Sequence, residues 1–287
     1  MKLHCHEFKV EKMANILGVS RGGYYKFIES RKSVHQERDS YLLKRITSLF
    51  EESRQTYGSP RIHAVLKTEG EKVGLKRVAR LMREAKLIAR KRQRFKLTTK
   101  VDKRLPVAEN LLQRDFTAQR PNQKWVSDIT YIWTSMGWLY VAVILDLFSR
   151  QVVGLSMSQK QTKDLVIRAL QQAIRHRGHP QALVHHSDRG SQYASHDFQN
   201  LLKAYGITPS MSGTGNCYDN AAMESFFATL KGECTFFEHY KNRDQAKNSI
   251  FDYCFIFYNQ ERIHSTLGYM SPKEFETRAL TLEERVY

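Results

Sequence analysis

The chain has 287 residues, of which 41% are hydrophobic and 26% charged, as is ordinary for a globular protein with room for two modules. Its net charge of +17 is not ordinary, because residues 1–120 hold 29 Lys and Arg against 13 Asp and Glu, whereas residues 121–287 hold 17 against 16. This asymmetry indicates that the first part of the chain meets a polyanion, most simply nucleic acid, although a merely soluble basic surface is the alternative.

Several classes of protein are disfavoured by the same sequence. The four cysteines are scattered and form no C-x-x-C pair, so we expect neither a structural zinc site nor a disulfide framework. The longest apolar stretch, Leu139–Leu145, is too short to span a bilayer, and the first residues are too polar for a signal peptide. A reducing cytoplasm fits these features.

A pair of helices is predicted within residues 11–30. Met13 and Ile16 have helical spacing, Gly18 supplies a break, and Ser20 is a good N-cap for a second helix. Helix, glycine-containing turn and helix is the outline of a helix-turn-helix, in which the second helix contacts DNA. A plain helical hairpin explains the spacing equally well.

A second helical pair is predicted at about 60–85, followed by the basic run Ala85–Lys100. The run holds seven Lys and Arg and no acid, which favours contacts with the DNA backbone over a solvated charged face. Residues 101–121 lose periodicity and look like a linker. The residues that we expect to contact DNA in the run are Arg90, Lys91, Arg92 and Arg94.

After Pro121 the pattern changes to that of strands, and the sequence predicts an α/β domain. Three strands in succession followed by alternating helices and strands give the order β-β-β-α-β-α-β-α, a mixed sheet with helices on both faces, which is the ribonuclease-H-like order. The predicted elements are strands Lys124–Thr134, Trp138–Leu145, Val152–Met157, Ala182–His186 and Ile207–Met211, and helices Thr162–His176, Ser195–Tyr205, about Asn220–Cys234 and about Arg243–Asn259.

Three carboxylates occupy informative places in this predicted domain. Asp128 lies within the first strand despite the poor strand propensity of Asp. Asp188 ends the fourth strand, and such strand ends are where sites collect. Glu224 lies at the margin of the apolar stripe of a late helix, with thirty-five residues between it and Asp188. Because the first and fourth strands are neighbours in this fold, we expect the two aspartates side by side.

Converging carboxylates repel one another unless a cation neutralises them, and oxygen ligands suit Mg²⁺ or Mn²⁺. Two such ions, about 3.5–4 Å apart, can activate an attacking oxygen and stabilise a leaving oxygen in phosphoryl transfer. Taken singly, Asp128 could be a strand-edge residue, Asp188 a turn cap and Glu224 a solvated helix residue. Their joint placement favours the interpretation that the three carboxylates are catalytic and bind metal.

Long ordered motifs over nearly the whole chain resemble one family, the IS-three (IS3) family of bacterial insertion-sequence transposases, as the product of its second reading frame. The family is similar to retroviral integrases and shares their D, D, 35, E triad, here Asp128, Asp188 and Glu224. The front segment Y-G-S-P-R-I-H-A-V-L also resembles the family's helix-turn-helix region. The other motifs are W-V-S-D-I-T-Y, L-D-L-F-S-R, H-S-D-R-G-S-Q-Y, N-A-A-M-E-S-F-F-A-T-L-K and Y-N-Q-E-R-I-H-S-T-L-G-Y-M-S-P-K-E-F.

The resemblance implies cleavage and strand transfer at the ends of an insertion sequence. The implied partners are double-stranded DNA with terminal inverted repeats, target DNA and further copies of the chain assembled on DNA, at the bacterial nucleoid. Family members usually act fused to a first-frame product that supplies a further helix-turn-helix and a coiled coil. This chain has no sustained heptad repeat and nothing that matches the His/Cys zinc module of retroviral integrases.

We therefore expect a basic helix-turn-helix region over residues 1–100, a linker over 101–121 and a ribonuclease-H-like catalytic domain over 122–287. Two alternatives stay open. A DNA-binding regulator descended from such an enzyme would have no need of three mutually repelling carboxylates. A ribonuclease H or repair nuclease would not need the long basic front region.

Other polar residues receive separate interpretations. Lys231 follows Glu224 by seven positions on the same helix face and resembles a DNA-contacting Lys of integrase-like helices, with a solvated Lys as the alternative. Gln192 and, with it, Tyr193 are candidates for contacts with DNA. Gly213 and Gly215 suggest a mobile loop over the site.

Residues near the triad also have structural interpretations. Asp146 suits a salt bridge or a turn, while Asp219 and Asn220 suit helix capping more than metal binding. Of His185 and His186, one could lie near the metal, and a packed histidine is as good an interpretation. Arg262 and His264 match the tail motif of the family, for which the sequence offers no physical role.

Overall fold

A computed structural model describes residues 1–29, 33–90, 108–213 and 217–284. Three of the four Lys and Arg residues that we expect to contact DNA in the basic run, Lys91, Arg92 and Arg94, lie outside the described residues, as does Gly215. Arg90 is described.

The predicted first helix pair is present as α1 (Val10–Ile16) and α2 (Arg21–Glu29). Gly18 between them has a φ of +66°, a conformation that glycine adopts without strain, and the Ser20 hydroxyl accepts a hydrogen bond from the backbone N–H of Gly23 at 3.0 Å. The apolar side chains of the pair nevertheless stay in solvent, since Ile16 is 77% exposed and Phe27 is 71% exposed.

Three longer helices form the hydrophobic core of the front region. They are α3 (Val34–Glu52), α4 (Ser59–Thr68) and α5 (Leu75–Glu84). The predicted second pair corresponds to α4 and α5, whereas α3 was not predicted. The side chains buried between the three helices include Leu42, Ile46, Ile62, Leu66, Val78 and Leu81.

A five-stranded mixed sheet follows. Its strands lie in the order β3-β2-β1-β4-β5, with β1, β2 and β3 antiparallel and with β4 parallel to both β1 and β5. The predicted ribonuclease-H-like order of elements is confirmed. The strands are β1 (Lys124–Thr134), β2 (Gly137–Asp146), β3 (Val152–Ser158), β4 (Val184–Ser187) and β5 (Thr208–Met211).

Helices cover both faces of the sheet. On one face α6 (Lys163–Arg177) and α7 (His196–Ala204) pack on a core that includes Trp125. On the other face α8 and α9 pack on a core that includes Val126. The bounds on this second face are α8 (Ala221–Leu230), a π-helical turn (Lys231–Thr235), α9 (Arg243–Phe251), its π-helical continuation (Asp252–Glu261) and the final α10 (Pro272–Glu284).

The two late helices were predicted as uninterrupted α-helices, and each instead changes to π-helical geometry before it ends. The predicted apolar stripe of α8 is confirmed, because Met223, Phe226, Phe227 and Leu230 are all buried. Short 3-10 turns occur at Lys2–His4, Cys217–Asn220 and Ser265–Leu267. No helix within the described ranges has the length and apolar character needed to cross a membrane.

The described part of the predicted linker, residues 108–121, has no helix or strand but is anchored to the sheet. Leu112 is buried in the core beneath α8. The backbone N–H of Met211 donates to the carbonyl of Glu109 at 3.3 Å, and that of Leu111 donates to the Ser210 hydroxyl at 2.9 Å. This segment therefore lies against the β5 edge.

Candidate active site

The two aspartates have the same register on neighbouring parallel strands. Every paired position of β1 and β4 differs by sixty residues, as in Val126 opposite His186. Asp128 and Asp188 differ by the same number, and Asp188 is the residue immediately after β4. Continued by two positions, the register sets the two carboxyl groups side by side, as expected from the sequence.

The face of the sheet on which Asp128 lies follows from strand alternation. Val126 and Ile132 pack on the face covered by α8, whereas Trp125 and Ile129 pack on the face covered by α6 and α7. Successive side chains alternate between faces, so Asp128 shares the α8 face with Val126. This is also the face towards which a residue of α8 can project.

Both aspartates have a raised pKa. For Asp128 the largest cause is burial, followed by the negative charge of Asp188, and a smaller contribution comes from Glu224. For Asp188 the cause is burial, opposed by a backbone hydrogen bond from Gly190. Carboxyl groups whose ionised form is disfavoured by burial and by each other are held ready for a positively charged ligand.

Backbone N–H groups orient each aspartate. The N–H of Ile129 donates to Asp128 Oδ1 at 2.7 Å, and the N–H of Gly190 donates to Asp188 Oδ1 at 2.9 Å. A Cβ at position 190 would lie 2.9 Å from that same Oδ1. Glycine is therefore needed here, because any side chain would push the Asp188 carboxyl out of place.

Glu224 and Lys231 approach the aspartates from α8 and its π-helical turn. Glu224 is partly buried, and its charge contributes to the raised pKa of Asp128. The positive charge of Lys231 acts in the opposite direction on Asp128. Burial lowers the pKa of Lys231, whose Nζ lies 5.0 Å from the centroid of the Tyr131 ring. The structure thus brings Lys231 within electrostatic reach of Asp128.

The donor chemistry of these residues fits a hard divalent cation, since the groups available are carboxylate oxygens with mutually raised pKa values. Among the residues that the structure describes, no group of three His, Cys, Asp or Glu side chains is already arranged to hold one metal ion. The register of β1 and β4, extended by two positions, puts Asp128 and Asp188 side by side, and the charge of Glu224 acts on Asp128.

The two histidines near Asp188 are packed rather than available as ligands. His186 lies with Nδ1 2.8 Å from the Ser210 hydroxyl and Nε2 3.1 Å from the Ser212 hydroxyl, and burial lowers its pKa to about 4. His185 packs against Phe198 with ring centroids 5.4 Å apart, and burial lowers its pKa to about 3. Both are therefore neutral at pH 7.

Of the two residues suggested to contact DNA beside Asp188, the structure leaves only Gln192 within reach of a ligand. Tyr193 is 2% exposed, so the suggestion that it contacts DNA is wrong. Its pKa is raised by burial first and then by the charges of Asp128 and Asp188. Gln192 is half-buried and donates from Nε2 to the carbonyl of Gln161 at 3.1 Å.

The remaining acids of the domain have structural partners. Asp146 accepts hydrogen bonds from the backbone N–H groups of Asn122 and Phe148 and pairs with Arg177 at 2.9 Å, in agreement with the predicted turn and salt bridge. Asp219, expected to suit helix capping, accepts the backbone N–H of Gly213 at 2.9 Å and so holds that loop. Asn220 does occupy the N-cap position of α8, without a hydrogen bond from its side chain to the helix.

Arg262 and His264 had no predicted role, and Glu233 was not predicted as a functional residue at all. Arg262 forms two hydrogen bonds with the Glu233 carboxylate, at 2.7 and 2.6 Å, and both side chains are buried. This ion pair joins the end of α9 to the π-helical turn after α8. Arg262 Nη1 also lies 3.2 Å from His264, whose pKa is lowered to about 2 by burial and then by nearby arginines.

Comparison with protein families places known domains on these elements. A model described as an HTH-like domain matches residues 36–95, which span most of α3, α4 and α5. Two models described as an integrase core domain match residues 118–217 and 205–272. The helix-turn-helix match therefore falls on the three-helix core and not on α1 and α2.

Two curated proteins are similar to the chain over nearly their whole lengths. The transposase InsF for insertion sequence IS3A of Escherichia coli (strain K12) is 42% identical, over 96% of this chain and 97% of its own. An uncharacterized 31 kDa protein of insertion element IS600 of Shigella sonnei is also 42% identical, over 93% of this chain and 98% of its own.

Solved structures with lower similarity include two retroviral integrases. The HTLV-2 integrase catalytic core domain in complex with magnesium is 22% identical, with a TM-score of 0.44, over 56% of this chain and 99% of that one. The integrase of a simian T-cell lymphotropic virus intasome, in complex with a PP2A regulatory subunit, is 18% identical, with a TM-score of 0.47, over 74% of this chain and 69% of that one.

Proposed function

The chain belongs to the IS3 family of insertion-sequence transposases, and we propose that it cleaves and joins DNA at the ends of an insertion sequence, with Asp128, Asp188 and Glu224 as its catalytic carboxylates. The observation that carries the proposal is the register of the parallel strands β1 and β4, which, extended by two positions, puts Asp188 beside Asp128, together with the effect of the Asp188 charge on the pKa of Asp128. Burial raises the pKa of both aspartates, and the charge of Asp188 raises that of Asp128 further, which supports a site that receives positive charge.

The three carboxylates would hold Mg²⁺ or Mn²⁺, with two ions per site. When bound, such ions lower the pKa of an attacking water and stabilise a leaving oxygen in phosphoryl transfer. Asp128 and Asp188 supply fixed oxygen ligands, because a backbone N–H orients each of them. Glu224 would complete the set from α8. Lys231 would hold a phosphate of the DNA end close to the acids.

The reaction consists of two phosphoryl transfers. In the first, the oxygen of water bonds to the phosphorus at the element end, the bond from phosphorus to the 3′ oxygen breaks, and a free 3′-hydroxyl remains. In the second, the oxygen of this hydroxyl bonds to the phosphorus of a target phosphodiester, the bond from that phosphorus to the target 3′ oxygen breaks, and the cut target strand leaves with a free 3′-hydroxyl. The number of phosphodiester bonds is conserved in the second step, so no separate energy source is needed.

DNA binding is assigned to the front of the chain. The HTH-like core of α3, α4 and α5, together with Arg90, Lys91, Arg92 and Arg94, would hold the duplex mainly through its phosphates. Gln192 is a further candidate contact beside Asp188. This division corresponds to a DNA-binding region over 1–100, a connecting segment over 101–121 and a catalytic domain over 122–287.

Several partners follow from the same proposal. They are double-stranded DNA with terminal inverted repeats, target DNA, further copies of the chain on that DNA, and a first-frame product fused to the chain. Because the DNA substrates are chromosomal, the protein would act in the cytoplasm at the bacterial nucleoid.

The proposal separates chemistry from binding, and this separation can be measured. Asp128→Asn, Asp188→Asn and Glu224→Gln should each abolish cleavage of a labelled element end in Mg²⁺, while gel-shift affinity for the same DNA stays within about twofold of wild type. Asp164→Asn, a change of the same kind at an exposed acid on α6, should alter neither. Equal loss of binding and cleavage in the triad variants would contradict the division of labour.

A further inference from the structure

A cavity of about 610 Å³ lies between the front helical core and the catalytic domain. Arginines from four separate segments reach it. Arg61 comes from α4, Arg90 follows α5, Arg150 lies between β2 and β3, and Arg262 ends the π-helical part of α9. We call this cavity the arginine pocket. It is lined in addition by hydroxyl groups of Thr56, Ser225, Thr229, Ser265 and Thr266.

Among the described residues that line the arginine pocket, one side chain is a carboxylate, and it faces four guanidinium groups. That carboxylate, Glu233, is already engaged on both oxygens. It accepts two hydrogen bonds from Arg262 and one from the hydroxyl of Tyr253 at 2.8 Å. Arg61 lies further away, at 3.8 Å. The negative charge of Glu233 is therefore committed mainly to Arg262.

Arg150 is left with positive charge that no acid among the described residues balances, and Arg61 has only a distant share, at 3.8 Å, of the already engaged Glu233. Arg150 forms no hydrogen bond or ion pair with any residue that the structure describes, and burial lowers its pKa. Its φ of +63° places it in the left-handed region, which costs a non-glycine residue conformational energy. For Arg61, burial lowers the pKa first and the charge of Arg262 lowers it further. Buried charges of one sign indicate a missing counter-ion.

The position of the pocket relates it to both modules. Ser225, which follows Glu224 on α8, and Thr229, one turn later, both line it. Arg90 donates from Nη1 to the carbonyl of Glu233 at 3.2 Å and begins the main part of the basic run that continues to Lys100. A DNA strand bound in the arginine pocket would therefore contact both the basic front of the chain and α8, the helix that carries Glu224.

We propose that the arginine pocket binds a phosphodiester of a DNA strand, with Arg61 and Arg150 as the charged contacts and the Ser225 hydroxyl of α8 as a further donor. Guanidinium groups pair with phosphate oxygens through two parallel hydrogen bonds, which suits arginine here better than lysine. The cavity has room for a phosphate with the sugars on either side of it. The proposal rests on DNA being the substrate and adds a backbone contact that uses none of the three acids.

The test uses Arg150→Gln in the full chain, with Arg168→Gln as the matched control, because Arg168 is exposed on α6 at the opposite face of the sheet. Binding to a labelled element-end duplex is followed by fluorescence anisotropy over a range of KCl, in chelator so that metal plays no part. Each phosphate contact contributes about 0.9 to the slope of log affinity against log salt. We expect Arg150→Gln to flatten the slope by about that amount and to weaken binding about five- to tenfold at 0.1 M salt, and Arg168→Gln to do neither.

Thermal unfolding in phosphate-free buffer separates a ligand contact from a structural role. We expect the Tm of Arg150→Gln to equal or exceed that of wild type, because an unbalanced charge is removed. A fall in Tm with an unchanged salt slope would overturn the proposal in favour of a structural arginine. Stabilisation of wild type by inorganic phosphate, with an unchanged DNA slope, would overturn it in favour of a small-anion site.

The result is independent of the chemistry proposed above. If Arg150→Gln flattens the salt slope but wild type fails to join DNA, the phosphate contact is supported and the transposase activity is rejected. If wild type joins DNA but Arg150→Gln leaves the salt slope unchanged, the transposase activity is supported and the phosphate contact is rejected. If wild type showed no salt-dependent binding to the duplex at all, the pocket assignment would fall.

Discussion

Replacing Glu233 with glutamine tests how the tail of the chain is held to the catalytic domain. Glu233→Gln keeps the shape of the side chain and can still accept the hydrogen bond from Tyr253. It removes the charge that faces Arg262 at 2.6 Å, and Arg262 is only 5% exposed. The substitution therefore leaves two buried guanidinium groups, those of Arg262 and Arg61, without a counter-ion.

Breaking a buried ion pair by removing one partner costs about 3–5 kcal/mol, because the remaining charge is desolvated without compensation. Arg262 is almost completely buried and loses its bidentate partner, so we expect the upper half of this range. At about 2–4 °C per kcal/mol for a domain of this size, Tm should fall by about 8–20 °C. Adding Arg262→Gln to Glu233→Gln should restore part of the loss, since the unpaired charge is then removed as well.

The measurement is urea unfolding followed by circular dichroism, with calorimetry for Tm. The matched control is Glu274→Gln on α10, where an exposed partner, Arg278, lies at 3.6 Å, and the expected cost is about 0.2–0.5 kcal/mol. Equal, small effects of Glu233→Gln and Glu274→Gln would refute the view that the Glu233–Arg262 pair is desolvated and shared by several groups.

Three further predictions concern the site and its surroundings. In wild type, Mg²⁺ at a hundred times its Kd should add about 2.7 kcal/mol to the free energy of unfolding. Asp128→Asn should gain no stability from Mg²⁺. In chelator, Asp128→Asn should unfold at a higher temperature than wild type, because a buried carboxyl with a raised pKa is removed. His264 has its pKa lowered to about 2 by burial and then by Arg262, so below about pH 6.5 the unfolded state binds a proton that the folded state does not. Wild type should therefore lose about 2 kcal/mol of stability between pH 7 and pH 5, and His264→Gln should lose that much less; identical pH profiles would contradict this. Lys231→Gln should flatten the salt dependence of DNA binding by about 0.9 in log–log slope, and an unchanged slope would mean that Lys231 contacts no phosphate.

The sheet could be predicted closely from the sequence because its signal is local. The run from Lys124 to Thr134 is rich in β-branched and aromatic residues, and β1 has those bounds. The adjacency of Asp128 and Asp188 followed from the strand order, since parallel β1 and β4 bring their carboxyl ends together. Where hydrophobic periodicity and strand propensity agree over a whole element, tertiary packing changes neither the type of the element nor its bounds by much.

Helix α3 was overlooked although the sequence carries a signal for it. Ser33 and Gln36 form a reciprocal capping box at its start, and Leu42 and Ile46 lie four positions apart among charged residues. Conversely, the helical spacing of Met13 and Ile16 predicted a helix with an apolar face, and the structure leaves Ile16 of that face exposed. Apolar spacing shows that a helix can form a face, but it does not show what covers that face.

Long-range pairs lay beyond what the sequence could reveal. Glu233 and Arg262 are 29 residues apart and meet only because α8 and α9 pack side by side. The π-helical turn that begins at Lys231 likewise has no local signature, because it depends on how α8 joins the next segment. The arginine pocket was hidden for the same reason, since its four arginines come from segments that only the fold brings together.

Strand transfer tests the central claim most directly. Wild type and Glu224→Gln, each alone and fused to a first-frame segment, are incubated with labelled DNA that carries the terminal repeats of the element and with unlabelled target DNA, in Mg²⁺ or in chelator. The account predicts joined products from wild type in Mg²⁺ only, and none from Glu224→Gln. Joining by Glu224→Gln, or DNA binding by the fused wild type without any cleavage or joining, would contradict it.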